Sequence, residues 1–223
     1  MKRATRKKTR ETRDKLLDAA ECVFYEKGVS GTTLNDVAEA AGVTRGAVYW
    51  HFRNKSDLFG AMVDRVRKPI HDMIEEMADG NTEDPLGRLR EKTLFLMREI
   101  HENEHYRKVM SVIFHKCEYT DAASEFLAYD REWQASAHDM IVRVLVNARQ
   151  KRQLPDDIDI NLAVLVLRVV FNGLLNNWLL RPEEFDLLED SGRLYEGVFS
   201  MLRESPDMRV KSSSAHTEKT QTG

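Results

Sequence analysis

Between Arg10 and Lys27 the apolar residues Leu16, Ala20, Val23 and Phe24 recur at three- and four-residue steps, the spacing of one helical face, and Gly28 stands where a helix C-cap would. That predicts a first amphipathic helix. Thr33 can cap a short second one through Asp36, Val37, Ala38 and Ala41, with Asp36 as the capping-box acid and Gly42 as its stop. Thr44 opens a third, Arg45 to His51, and Asn54 or Ser56 begins a long fourth that passes Pro69 towards Ala78. Residues 79–85, DGNTEDP, predict a loop.

Beyond the loop, Leu86 to about Asn103 predicts a fifth helix carrying Leu89, Leu94, Phe95 and Met97, and about Glu104 to Cys117 a sixth. A long seventh, Asp121 to Gln153, places Phe126, Trp133, Ala137, Met140, Ile141, Val144 and Ala148 at helical steps before Pro155 ends it. Ile158 to Leu180 is apolar on most of its circumference, as a helix packed on more than one side should be. The ninth, about Glu184 to Arg203, alternates Leu188, Leu194, Tyr195, Val198 and Leu202 with charge. From Ser205 onward the pattern offers nothing to bury and predicts a disordered tail. No internal repeat is visible.

Composition sharpens this into an all-α fold of about nine helices. The 223 residues include only 11 Gly and 5 Pro, fewer than a many-turned β-protein needs, and polar residues interrupt the apolar runs before spanning length, so no membrane span is expected. The charged start, MKRATRKKTRETRDKLL, is unlike a secretory signal, and two cysteines, Cys22 and Cys117, are too few for a disulfide framework. A cytoplasmic protein with reduced thiols is expected. The net charge of −3 hides an asymmetry: residues 1–15 hold eight basic and two acidic residues, +6, while the chain beyond residue 55 holds 22 basic and 30 acidic, −8. The basic end suits a polyanion; the acidic body does not.

The segment TTLNDVAEAAGVTRGAVYWHFRNKSDLF carries the chemistry. Two short helices crossing at a fixed angle need a small residue at the crossing and a glycine in the turn, supplied by Ala38 and Gly42. Leu34, Val37, Ala41, Val43 and Val48 can form their small core, leaving Thr44, Arg45, Gly46, Tyr49 and His51 outward with Lys55 just beyond. An Arg at a helix start can fork onto guanine O6 and N7, while hydroxyls, imidazole and ammonium can hold phosphates. A plain helical hairpin with surface polar groups is the alternative reading of the spacing.

The wording ETRDKLLDAAECVFYEKGVSGTTL followed by GVTRGAVYWHFRNKSDLF closely resembles the TetR family of transcriptional repressors, and FHKCEYTD, Gln153-Leu-Pro and NGLLNNWLL resemble its AcrR-type branch, whose members repress multidrug efflux pumps. The resemblance spans about residues 8–204. It implies that residues 1–55 form a basic arm and helix-turn-helix domain, that 56–204 form a ligand-binding and dimerisation domain with 56–78 as connector, and that 205–223 are a tail. It also implies that Arg45 and Gly46 face bases, that Ala47 meets a thymine methyl, and that Thr33, Thr44, Tyr49, His51 and Lys55 hold phosphates. Trp50 either touches the DNA backbone or packs between the third and fourth helices.

In the eighth helix Arg168, Asn172 and Asn176 form a narrow polar stripe at four-residue steps. Periodicity alone allows a solvated edge or a cavity wall; the resemblance favours the cavity, since its members bind ligands among the fourth to eighth helices. By the same resemblance Arg67, Ile70, Met73, Leu96, Met110, Phe114 and Ile141 are further lining candidates, and Pro69 is a kink through which a ligand tilts the connector. Pairing of the last two helices with their copies would use Phe171, Leu175, Trp178 and Leu179, then Leu194, Tyr195, Val198 and Leu202. The implied partners are double-stranded operator DNA, a hydrophobic small-molecule inducer and a second copy; no cofactor, metal or enzyme activity is expected.

Two competing readings stay open. His101-Glu-Asn-Glu-His105 matches the zinc-protease motif HExxH but offers no third ligand, so it reads as a helix-end charge cluster rather than a hydrolase site. Cys117 reads as a small core residue more readily than as a redox trigger. Among regulators, a sensor of a metabolite or lipid is the alternative to a drug sensor.

Overall fold

The computed structural model describes residues 2–78, 80–117 and 124–211, without the side chains of 2–6, 77 and 124–127. Nine α-helices follow one another among these residues: α1 (Lys2–Gly31), α2 (Leu34–Ala40), α3 (Arg45–His51), α4 (Lys55–Met77), α5 (Pro85–Glu102), α6 (Glu104–Ser111), α7 (Ser124–Gln150), α8 (Ile160–Leu180) and α9 (Leu187–Glu204). A single π-helical turn, Val112–Lys116, prolongs α6. The expected Phe126, the end of the FHKCEYTD stretch and tail residues 212–223 lie outside what is described.

Short polar side chains fix where each helix begins, because the first N–H groups of a helix lack internal partners. Thr33 Oγ1 accepts from the Asp36 N–H at 3.2 Å while Asp36 Oδ2 accepts from the Thr33 N–H at 2.8 Å, a complete capping box. Thr44 caps α3 and Asn54 caps α4. Asp84 caps α5, and the Gln153 amide spans that start, donating to Asp84 at 2.5 Å and accepting from the Leu86 N–H at 3.1 Å. The Gln153-Leu-Pro stretch therefore secures α5 from the far end of α7. Gly28, with φ +76°, interrupts α1 near its end, and the Thr32 hydroxyl donates to its carbonyl at 2.7 Å.

Helix α1 packs on α2, α4 and α6, so it belongs to both halves of the molecule. One connected core runs from Leu16, Phe24, Val48, Phe52 and Leu58 among the first helices to Met97, Ile100, Leu145, Tyr195 and Phe199 in the body. Helix α8 corrects one expectation: its only charge is Arg168, and by length and composition it could cross a membrane. Here it packs against α7 and α9 and leaves Leu165, Val169 and Leu180 exposed on its outer side.

Residues 205–211, expected to open a disordered tail, are structured. Pro206–Met208 form a 3-10 turn; Met208 is buried in the hydrophobic core, and its carbonyl accepts from the Asp159 N–H at 2.9 Å, just before α8. The Val210 N–H donates to the Asp157 carbonyl at 2.8 Å, and the Arg209 guanidinium reaches the Leu202 and Arg203 carbonyls at 3.2 and 2.7 Å.

Candidate nucleic-acid interface and ligand cavity

The α2–α3 crossing is built from Val37, Ala38 and Val48, all buried, around a turn in which Gly42 takes φ +64°. This presents Thr44, Arg45, Gly46 and Tyr49 outward, with Ala47 half-buried. Arg45 lies along the Tyr49 ring, its guanidinium carbon 5.4 Å from the centroid and its Nη2 donating to the phenol oxygen at 3.3 Å. Trp50 is 70% exposed and stands edge-on to His51, so it does not pack between α3 and α4. A large indole left in water is costly to keep without a partner.

Lys8, Thr9 and Thr12 of α1 face Ala47, Trp50 and His51 across a groove of about 280 Å³. Composition marked the arm as basic but could not show that α1 extends to Lys2 and lays these side chains beside α3. Partial burial, reinforced by the nearby Arg13, pushes the His51 imidazole below its ordinary pKa of 6.5.

Lys55 differs from its expected role. Its Nζ donates to the carbonyls of Val29, Ser30 and Thr32 at 2.7, 3.1 and 2.9 Å, which uses all three ammonium N–H groups. The side chain thus caps the C-terminal end of α1, and burial lowers its pKa from 10.5. Thr33 is likewise engaged in the α2 cap, where bonds from Lys27 and then Thr33 hold the Asp36 carboxyl well below the usual carboxylate range.

Two adjoining cavities occupy the body. An inner chamber of about 140 Å³ lies between α4, α5, α7, α8 and α9, and an outer one of about 280 Å³ reaches α6. Of the expected lining residues, Ile70, Leu96 and Asn172 border both, Met73, Ile141 and Arg168 the inner, and Arg67, Met110 and Phe114 the outer. Trp133, Gln134 and Phe171 also border both. The helical pattern placed Trp133 on an inward face but could not show whether core or space lay opposite.

Charge is distributed unevenly around this space. Arg67, only 5% exposed, bonds Asp130 and lies beneath two aromatic faces, 5.1 Å from the Trp133 centroid and 5.7 Å from that of Tyr129. Tyr129 itself bonds Asp64; burial and that bond push its phenol far above 10. Arg168 donates to the neutral Gln134 Oε1 at 2.6 Å.

Other assignments are corrected. Asn176 borders neither cavity and meets His115 Nε2 at 3.1 Å, because the stripe drifts around α8 and its last member passes the cavity wall. Phe171 faces the cavity rather than a seam, and Leu175, Trp178, Tyr195 and Leu202 are buried in the monomer core. On α8 and α9 the exposed large apolar groups are instead Leu165, Val169, Leu180 and Leu194, the last of which borders an open groove with Gly173, Gly197, Val198 and Met201. Leu179 is half-buried.

The HExxH letters do not form a metal-binding turn. Asn103, with φ −103° and ψ 111°, separates α5 from α6 and caps the latter. His101 stacks on Trp178 at 5.5 Å, whereas His105 Nδ1 meets Glu21 Oε2 at 2.6 Å. Cys22 is exposed and Cys117 half-buried.

An exposed helix-turn-helix joined by one long helix to a hollow helical body defines a ligand-sensing transcription regulator. Residues 16–62 match the model for bacterial regulatory proteins of the tetR family, and residues 84–204 match that for the C-terminal region of MAATS-type transcriptional repressors. The chain belongs to the TetR family, in its MAATS-type repressor group. It is 38% identical over 210 residues to the transcriptional regulator TtgR of Pseudomonas putida, covering 94% of this chain and 100% of TtgR. Among solved structures, NalD, the secondary repressor of the MexAB-OprM multidrug efflux pump in Pseudomonas aeruginosa, superimposes with a TM-score of 0.79 at 32% identity, over 89% of this chain and 99% of NalD. The SmeT–triclosan complex gives 0.82 at 31% identity, over 88% and 93%; SmeT represses the SmeDEF efflux pump of Stenotrophomonas maltophilia.

Proposed function

We propose that this chain represses a multidrug efflux operon, binding a palindromic operator as a homodimer in the cytoplasm and leaving it when a hydrophobic small molecule fills the cavity. One observation carries the reading: α4 starts at the Asn54 cap beside the helix-turn-helix, and the same helix lines the cavity through Arg67, Ile70 and Met73. A ligand that displaces this wall moves the rod on which the DNA-reading unit is mounted. Pro69, inside α4, removes one backbone hydrogen bond at the same level and makes that rod easier to bend.

In a dimer a tilt of α4 changes the separation of two recognition helices, which must match half-sites one helical repeat apart. The exposed Leu165, Val169, Leu180 and Leu194 supply the surface for the second copy. Arg45 and Gly46 would read bases, with Thr44, Tyr49, Trp50 and the α1 arm on the backbone. The same α4 link would serve a sensor of a metabolite equally well, and the ligand panel separates the two.

The experiment is a fluorescence-anisotropy titration on DNA upstream of the gene and its neighbours, against random DNA, followed by hydrophobic antibiotics, dyes and plant phenolics. Specific binding reversed by a panel member is expected. Specific binding that survives the whole panel refutes the drug-sensing part; equal binding to random DNA over a range of salt refutes the operator-reading part.

A further inference from the structure

We propose that the inner chamber selects aromatic anions, taking a carboxylate on Arg168 while the ring lies between Trp133 and Phe171. This rests on the ligand-cavity reading above and adds a chemical class to it. The observation is a charge imbalance. Arg67 is neutralised by Asp130, but among the described residues no Asp or Glu borders the inner chamber. Arg168 borders it and gives its described hydrogen bond to the uncharged oxygen of Gln134 at 2.6 Å.

Lys92 also borders the chamber, yet it borders as well a surface hollow lined by Glu76, Glu83, Asp84 and Glu91. The four acids of that hollow outnumber its Arg88 and Lys92, so the Lys92 ammonium has a negative environment on that side. Arg168 stands on α8 within an otherwise apolar stretch, is half-buried as a residue, and turns its guanidinium to Gln134 on α7.

A guanidinium removed from water without a counter-charge carries a desolvation penalty. A neutral ligand covering Arg168 deepens that penalty, whereas a carboxylate offsets it with two parallel charge-assisted bonds in the geometry the planar fork prefers. Asn172, one turn further along α8, offers an amide to the same end of the ligand. Trp133 and Phe171 both line the chamber and offer aromatic surface to a flat ring. The chamber therefore discriminates by ionisation as well as by shape.

The test is isothermal titration calorimetry of the full chain with 2-naphthoate and 2-naphthamide, which differ in charge but hardly in size. Naphthoate should bind about tenfold tighter or more, and Arg168→Gln should abolish that preference while naphthamide binding persists. Lys92→Gln should leave the preference in place. Asn172→Asp, which keeps Arg168 and supplies the absent carboxylate one turn away, should remove most of the preference for naphthoate over naphthamide, so the proposal is tested even if Arg168→Gln fails to fold. Naphthamide binding as tightly as naphthoate, neither probe binding, or a preference that survives Arg168→Gln or disappears in Lys92→Gln each overturns it. DNA anisotropy separates this from the broader reading. Naphthoate held through Arg168 without releasing operator sinks ligand release alone; release by neutral compounds, with no preference for naphthoate, sinks the anion selectivity alone.

Discussion

Glu21 Oε2 on α1 lies 2.6 Å from Nδ1 of His105 on α6, joining the helix-turn-helix half of the molecule to the cavity-bearing half. The other carboxylate oxygen accepts from Arg65 of α4 at 3.1 Å, and the same Arg65 nitrogen donates to Asp18 at 2.6 Å. Glu21 is buried, so neither oxygen can be satisfied by water instead. Glu21→Ala should lower stability by about 1–3 kcal/mol, towards the low end because Arg65 is about one-third exposed. A urea midpoint unchanged from the parent would show that the junction contributes nothing.

Lys55→Met should cost about 1–2 kcal/mol, because three carbonyls at the end of α1 lose their shared donor. Its DNA affinity should keep the parent's salt dependence, measured as log K against log salt. A slope reduced by about one would mean that Lys55 holds a phosphate after all.

Arg45→Ala should lose about 1–3 kcal/mol on operator and much less on random DNA, relaxing selectivity at one base step of each half-site. Its present rest against Tyr49 is a weak, exposed contact that DNA can replace at little cost. Equal losses on both DNAs would assign it to the backbone.

Burial, and then the nearby Arg13, hold the His51 pKa below its ordinary value in the free protein. A phosphate brought beside it favours the charged form, so the bound pKa exceeds the free one and binding takes up a proton. Operator affinity should therefore rise as pH falls from about 8 to 6, and His51→Gln should flatten that dependence. Affinity that is flat in the parent across this range removes His51 from the phosphate contacts.

Val169→Asp or Leu165→Asp should weaken self-association about tenfold or more while leaving the fold intact, since both side chains are over half exposed in the single chain. Leu175→Asp should instead unfold it, because Leu175 is fully buried. Sedimentation velocity with circular dichroism distinguishes the outcomes. A Val169→Asp dimer as tight as the parent places the interface elsewhere.

The order and kind of the helices were legible because capping chemistry is local: Thr33, Thr44 and Asn54 each start a helix where their side chains can reach an unpaired N–H. The cavity residues were legible through the resemblance and through inward helical faces. What failed was long-range. Lys55 looked like a cation beside a recognition helix, and nothing within its own neighbourhood reveals carbonyls 23 to 26 residues earlier. Leu175 and Val169 are equally apolar on one helix, and periodicity cannot say which of two faces meets the monomer's own core and which is left uncovered.

The clasp between residues 205–211 and the entry to α8 sets where the chain tolerates being cut or extended. Ending the chain at Glu204 would strip the Asp159 N–H of its acceptor, uncover Ile158 and release the last carbonyls of α9 from Arg209. The loosened ends are those of the two helices that carry the exposed apolar surface, so such a truncation would present as lost self-association far from the deletion. A purification tag or fluorescent fusion placed after Lys211 leaves the clasp closed, whereas one fused at the end of α9 pries it open.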